Sequence, residues 1–101
     1  MTYIEIYTLL QSLQIPVAYD HFNSKVETPY IVYTFNGLDT FKADDSIYFK
    51  ENRYAIYLVT DTKDTNLEDS IESLFESNNI IYDKSETYIE SERTYQIVYT
   101  I

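Results

Sequence analysis

The stretch Thr28-Pro29-Tyr30-Ile31-Val32-Tyr33-Thr34-Phe35 decides how this chain is read. It is apolar, aromatic and β-branched almost throughout, a composition that fits a strand buried on both faces. Pro29 stands at its start, where a missing N–H does least harm. Gly37, the only glycine in the chain, follows it, and Asn36-Gly37 is a turn signal. The expectation is the central strand of one small sheet, closed at Gly37.

Upstream, Thr2 to Leu13 reads as a helix. Thr2 and Glu5 have the capping-box spacing, and Tyr3, Ile6, Tyr7, Leu10 and Leu13 form an apolar stripe that Pro16 ends. Val17 to Phe22 is a short strand candidate, and Asn23 to Glu27 a polar turn. Downstream, Leu38 to Ser46 mixes Asp39, Lys42, Asp44 and Asp45 with Leu38 and Phe41, and reads as an extended loop or loose hairpin tip. Loops of that length inside a small domain are usually functional or mobile.

Ile47 to Thr60 is a long strand with a break expected near Glu51-Asn52. Tyr54, Ile56 and Leu58 alternate with Ala55, Tyr57 and Val59, so both faces of its second half are apolar and that half should be central. Asp61 to Asp64 is a turn. Thr65 and Glu68 repeat the capping-box spacing, and Leu67, Ile71, Leu74 and Phe75 stripe a second helix that ends at Ser77-Asn78-Asn79. Ile80 to Ile89 and Thr94 to Ile101 form a hairpin around Glu90 to Arg93, its first strand polar enough for a sheet edge. The order is α-β-β-β-α-β-β: one α+β domain of 101 residues, with a largely antiparallel or mixed sheet and two helices packed on one face. A chain this long buries about 65% of its unfolded surface, enough to fold without staples.

Composition narrows the function classes. The formal charge of −10 repels nucleic-acid phosphates and anionic membranes alike. There is no cysteine, so thiol nucleophiles and cysteine zinc sites are excluded. Met1-Thr2-Tyr3-Ile4-Glu5 lacks the basic start of a secretory signal, and no apolar run approaches the ~20 residues of a membrane span. A single glycine excludes a P-loop, a dinucleotide fingerprint and a nucleophile elbow. The 12 Tyr and 5 Phe suit sheet faces and interfaces.

Candidate chemistry is sparse. His21, the only histidine, neighbours Asp20 and Ser24, but adjacent strand residues point to opposite faces and make a poor triad. Asp61, Asp64, Asn66 and Asp69 imitate a calcium loop, yet Lys63 and Thr65 fill ligand positions and Asn66 replaces the required glycine. No carboxylate pair is singled out for acid–base work. No metal, no cofactor and no enzymatic activity is expected. Glu68, Glu72 and Glu76 recur at i, i+4 with no lysine or arginine between Leu67 and Ile81, a repulsion of roughly 0.2–0.5 kcal/mol per pair. They read as an uncompensated acidic face, for a partner or a channel. Phe41, Tyr48 and Phe49 stand among charges, as in an arm that orders against a neighbouring subunit.

Four stretches carry a family likeness: Leu13-Gln14-Ile15-Pro16-Val17-Ala18-Tyr19, Pro29-Tyr30-Ile31-Val32-Tyr33, Asp44-Asp45-Ser46-Ile47-Tyr48, and Lys84-Ser85-Glu86-Thr87-Tyr88-Ile89-Glu90-Ser91-Glu92. Together they resemble, over nearly the full length, the small tail-completion or head–tail joining proteins of siphophages and prophages of low-GC Gram-positive bacteria. The resemblance implies a virion component at the tail–head junction, assembled in the host cytoplasm. It implies a ring, commonly six-fold, that contacts the tail tube protein and the head or neck connector while DNA passes nearby unbound. A ring needs heterologous interfaces. The candidates are Leu38, Phe41, Lys42, Asp44, Asp45, Tyr48 and Phe49 in the loop, and Tyr82, Lys84, Glu86 and Tyr88 in the penultimate strand. Alternatives are an acidic DNA mimic or inhibitor, another neck or minor tail protein, and, ranked last, an enzyme subunit.

Overall fold

The strand that starts at Tyr30 does not stop at Gly37. In the computed structural model, which describes residues 1–43 and 46–101 and only the backbone at 42, 43, 47 and 48, it continues to Ala43. The elements are α1 (Tyr3–Gln11), β1 (Val17–Tyr19), β2 (Tyr30–Ala43), β3 (Ser46–Thr60), α2 (Thr65–Ser77), β4 (Asp83–Ile89) and β5 (Thr94–Thr100). The sheet has five strands in the order β1-β2-β3-β5-β4. β1 runs parallel to β2 and all other pairs are antiparallel, so the fold is mixed α+β with the expected element order.

Pairing begins at Tyr30↔Val59 and reaches Ala43↔Ser46. Two expectations therefore change. Of the two forms expected for Leu38 to Ser46, it is the end of a hairpin and not an extended loop: the described residues of that span are strand, β2 pairing with β3. Asn36-Gly37 is not a turn but a bulge, where the register shifts between Phe35 and Leu38. Gly37 takes φ 100°, a backbone that other residues adopt only under strain, which is why the lone glycine stands there. β3 is unbroken at Glu51-Asn52; the irregularity belongs to its partner. At about 3.3 Å per residue β3 spans nearly the whole molecule, whose long axis is 50 Å.

One face of the sheet meets both helices. Ile31 and Tyr33 of β2, Ile56 and Leu58 of β3, and Ile97 and Tyr99 of β5 are fully buried against Ile6 and Leu10 of α1 and Ile71 and Phe75 of α2. The founding strand is buried on one face only: Ile31 and Tyr33 are sealed, whereas Tyr30, Val32 and Thr34, which alternate with them, are half-buried. Its β-branched composition reflects sheet propensity on both sides but burial on one. The central strand is β3, whose second half has Ala55 and Val59 buried as well as Ile56 and Leu58. Buried tyrosines keep their hydroxyls partnered: Tyr33 donates to the Tyr3 carbonyl at 2.7 Å and Tyr99 to a Glu72 carboxylate oxygen at 2.7 Å.

The first helix starts as its sequence predicts. Thr2 caps it, accepting from the Glu5 N–H while the Glu5 carboxylate accepts from the Thr2 N–H. The second starts one residue earlier than predicted. Asp64, not Thr65, is the cap and accepts from the Leu67 N–H at 3.1 Å, leaving Glu68 free for another role. Asp64→Ala is expected to cost about 1 kcal/mol and lower Tm by roughly 4–8 °C. Thr65→Ala should leave a thermal melt followed by circular dichroism nearly unchanged. Asn79, at φ 57°, ends α2 in a left-handed turn that asparagine tolerates.

Candidate assembly surface

Beyond the sheet body, β2 and β3 run on as a two-stranded ribbon. β1 pairs with β2 only at Ile31–Tyr33, and β5 pairs with β3 over Ala55–Thr60, with Tyr54 and Ile101 exchanging backbone hydrogen bonds just beyond. From Leu38↔Asn52 outward the ribbon has no third strand among the described residues. A bare two-stranded ribbon is marginally stable in water, yet this one carries large apolar groups. Phe41 and Phe49 face each other across the ladder, ring centroids 5.6 Å apart, and remain 53% and 54% exposed. Leu38 and Phe35 near its base are also about half exposed. Arg53 braces the base, donating to Asp39 at 3.0 Å and to the Ile101 carbonyl at 2.9 Å. Of the predicted loop residues, Leu38, Phe41 and Phe49 are thus brought together as exposed groups on one arm. Asp44, Asp45 and the side chains of Lys42 and Tyr48 lie outside the described residues.

The second surface is the sheet face turned away from the helices. The pleat and register place Ala18, Val32, Tyr57, Val98 and Ser85 in one row across all five strands. A neighbouring row is Thr34, Ala55, Thr100 and Asp83. The loop from Asp20 to Thr28 overlies part of this face, where the Phe22 ring packs on Tyr30 at 5.6 Å and Val32 lines the space beneath. A groove of about 920 Å³ separates loop and sheet there. Thr94 lines it, and its buried hydroxyl oxygen has no hydrogen-bond partner among the described residues. The strand expected to reach Phe22 stops at Tyr19, because Asp20 turns to φ 67°. Asp20 and His21 are therefore not on opposite strand faces: His21 Nδ1 lies 2.8 Å from an Asp20 carboxylate oxygen, both side chains exposed.

β4 is the sheet edge that its polar sequence predicts. Its candidate interface residues nevertheless point inward, towards α2. Lys84 pairs with Glu72 at 2.7 Å and Glu68 at 2.9 Å, and Glu86 pairs with Lys63. Tyr82 donates to Glu76 at 2.9 Å and packs on Phe75 and Tyr99. Only Tyr88, packed edge-on against Tyr95 with ring centroids 4.9 Å apart, keeps its ring about half exposed.

The same contacts overturn the uncompensated acidic face. Glu68 is 3% exposed, held by Lys63 at 2.8 Å and Lys84 at 2.9 Å. Burial pushes its carboxyl up, but the two ammonium groups outweigh burial and leave it below the ordinary carboxylate range. Glu72 is likewise raised by burial and brought below that range by Lys84 and the Tyr99 hydroxyl. Hydrogen bonds to Glu72 and Glu68 raise Lys84 above its ordinary value. Counting charges along the helix missed these partners, because one lysine precedes α2 and the other arrives from β4. Glu68 and Glu72 thus tie the edge strand to the helix, whereas Glu76 is exposed and accepts from the Tyr82 hydroxyl.

Among the described residues no group of acids or histidine could hold a metal ion, and no helix is long and apolar enough to cross a membrane. No family model matches the chain, and no curated protein matches it.

Proposed function

We propose that this chain is a structural virion subunit that terminates a phage tail tube and joins it to the head, acting as a ring, most simply a hexamer. The observation that carries the proposal is the ribbon: an arm with an exposed Phe41–Phe49 pair and, among the described residues, no third strand, extending from a small α+β body. An arm of that kind gains its missing layer from a neighbour. A patch that meets a different patch on the next copy builds rings or filaments and not two-fold dimers. The resemblance in Pro29 to Tyr33 and Lys84 to Glu92 supports the same reading, since those residues shape the strands that hold the arm and the edge. The subunit works by shape and contact, with tail tube and neck connector proteins as partners and no cofactor.

The test is genetic and visual. Virions made without this protein should show, by negative-stain microscopy, tails of uncontrolled length or finished tails not joined to heads. Normal virions would refute the proposal. Replacing residues 38–49 by an Asn-Gly turn should leave a folded subunit, checked by circular dichroism, that fails to complement the deletion.

A further inference from the structure

The ring reading leaves open what the arm touches, and two unpartnered surfaces on the same chain answer each other. We propose that the arm of one copy lies across the open sheet face of the next, with Phe41 and Phe49 packed over Val32, Tyr57 and Val98. This rests on the ring reading and names the surface that receives the arm.

Charge is the first argument. The chain carries 17 acids and only 7 lysines and arginines, so two copies repel wherever charged surfaces meet. The strands nevertheless contribute a single charged residue, Asp83 at the outer edge, to the two rows described. A second copy meets few strand charges there, the charged side chains nearby being Asp20, Lys25, Glu27, Asp61 and Glu92 at the rim of the groove beside Val32. Shape is the second argument. A flat ribbon stacks on a flat sheet at about 10 Å, with side chains interdigitating, and aromatic rings pack well on β-branched neighbours. The arm cannot serve its own face. Phe49 and Tyr57 lie on one continuous strand, about 26 Å apart at a rise of ~3.3 Å per residue.

The chain has no cysteine, so engineered thiols report cleanly. Full-length Phe49→Cys and Val98→Cys variants are mixed in equal amounts and treated with a short bismaleimide, with light scattering reading the assembly state. Stacked sheets lie about 10 Å apart, beyond the roughly 4.4–6.8 Å that a direct disulfide requires between Cα atoms but within reach of the linker. The mixed cross-link should predominate over either homodimer, and adding Phe41→Asp should reduce it several-fold. Thr100→Cys, in the next row, repeats the test if Val98→Cys disturbs folding. Assembly without the mixed cross-link would overturn this inference while leaving the ring reading standing. A Phe49→Cys homodimer as the main product would mean arm meets arm. A product with Ile89→Cys instead would mean the ribbon adds to the β4 edge; either result overturns face docking. A chain that stays monomeric and uncrosslinked at all concentrations would overturn the ring reading as well.

Discussion

Ile31→Asp is expected to abolish folding, whereas Val32→Asp, one position along the same strand, should leave a folded chain. Ile31 is 0% exposed and sits among Ile6, Leu10 and Leu58. An ionised carboxylate there has no cation to meet. Its effective penalty is several kcal/mol, and the lost apolar burial adds about 1.5–3 kcal/mol. A domain of this size has about 5–15 kcal/mol in total. Val32 stands on the opposite side of the strand, opposite Tyr57 on the half-exposed face. Aspartate there stays in reach of water and loses mainly β propensity, on the order of 1 kcal/mol. Circular dichroism should show an unfolded Ile31→Asp chain and a cooperative melt for Val32→Asp. An unfolded Val32→Asp chain would mean that this face is sealed within the subunit.

That contrast marks how far the sequence could be read. The helices were legible because stripes such as Ile6 and Leu10, or Ile71 and Phe75, recur at helical period and meet a core. The edge position of β4 was legible from its charges. The one-sided burial of β2 was not, because Val32 and Thr34 suit a sheet whether or not anything covers them. The ribbon was hidden for a related reason. With both of its faces wet, Asp39, Thr40 and Phe41 against Phe49, Lys50 and Glu51 leave no alternation to detect. Asn36-Gly37 then imitated the turn that such a mixed segment seemed to need. Of the candidate site, the arm was visible as exposed aromatics, and the open sheet face was not.

The second large effect concerns the ion cluster. Lys84→Met is expected to lower stability at pH 7 by about 2 kcal/mol. Breaking a buried pair costs about 3–5 kcal/mol, discounted here because the Lys84 side chain is 36% exposed and Lys63 still serves Glu68. The sign with pH follows from the carboxylates. Glu68 and Glu72 have folded pKa values below their ordinary ones. Their contribution is therefore present above the ordinary carboxylate pKa of about 4.3 and is lost as pH falls through the lower folded values. Lys84 is shifted upward, so its share persists through neutral pH and fades only in strong alkali. Wild type and Lys84→Met should thus differ at pH 7 and converge in urea titrations as pH falls through the lowered folded values of Glu68 and Glu72. A difference independent of pH would assign Lys84 to packing of its methylene stem instead.

The bulge at Asn36-Gly37 has a mechanical consequence. It is the joint of a lever: about 20 Å of ribbon lies beyond it to Ala43, at ~3.3 Å per residue. A tilt of about 10° at that joint sweeps the tip by roughly 3–4 Å, comparable to the ~4.5 Å within which apolar side chains touch. The direction in which this subunit reaches is therefore set by one extra residue. Removing that residue would leave every other contact of the body intact and aim the reach elsewhere.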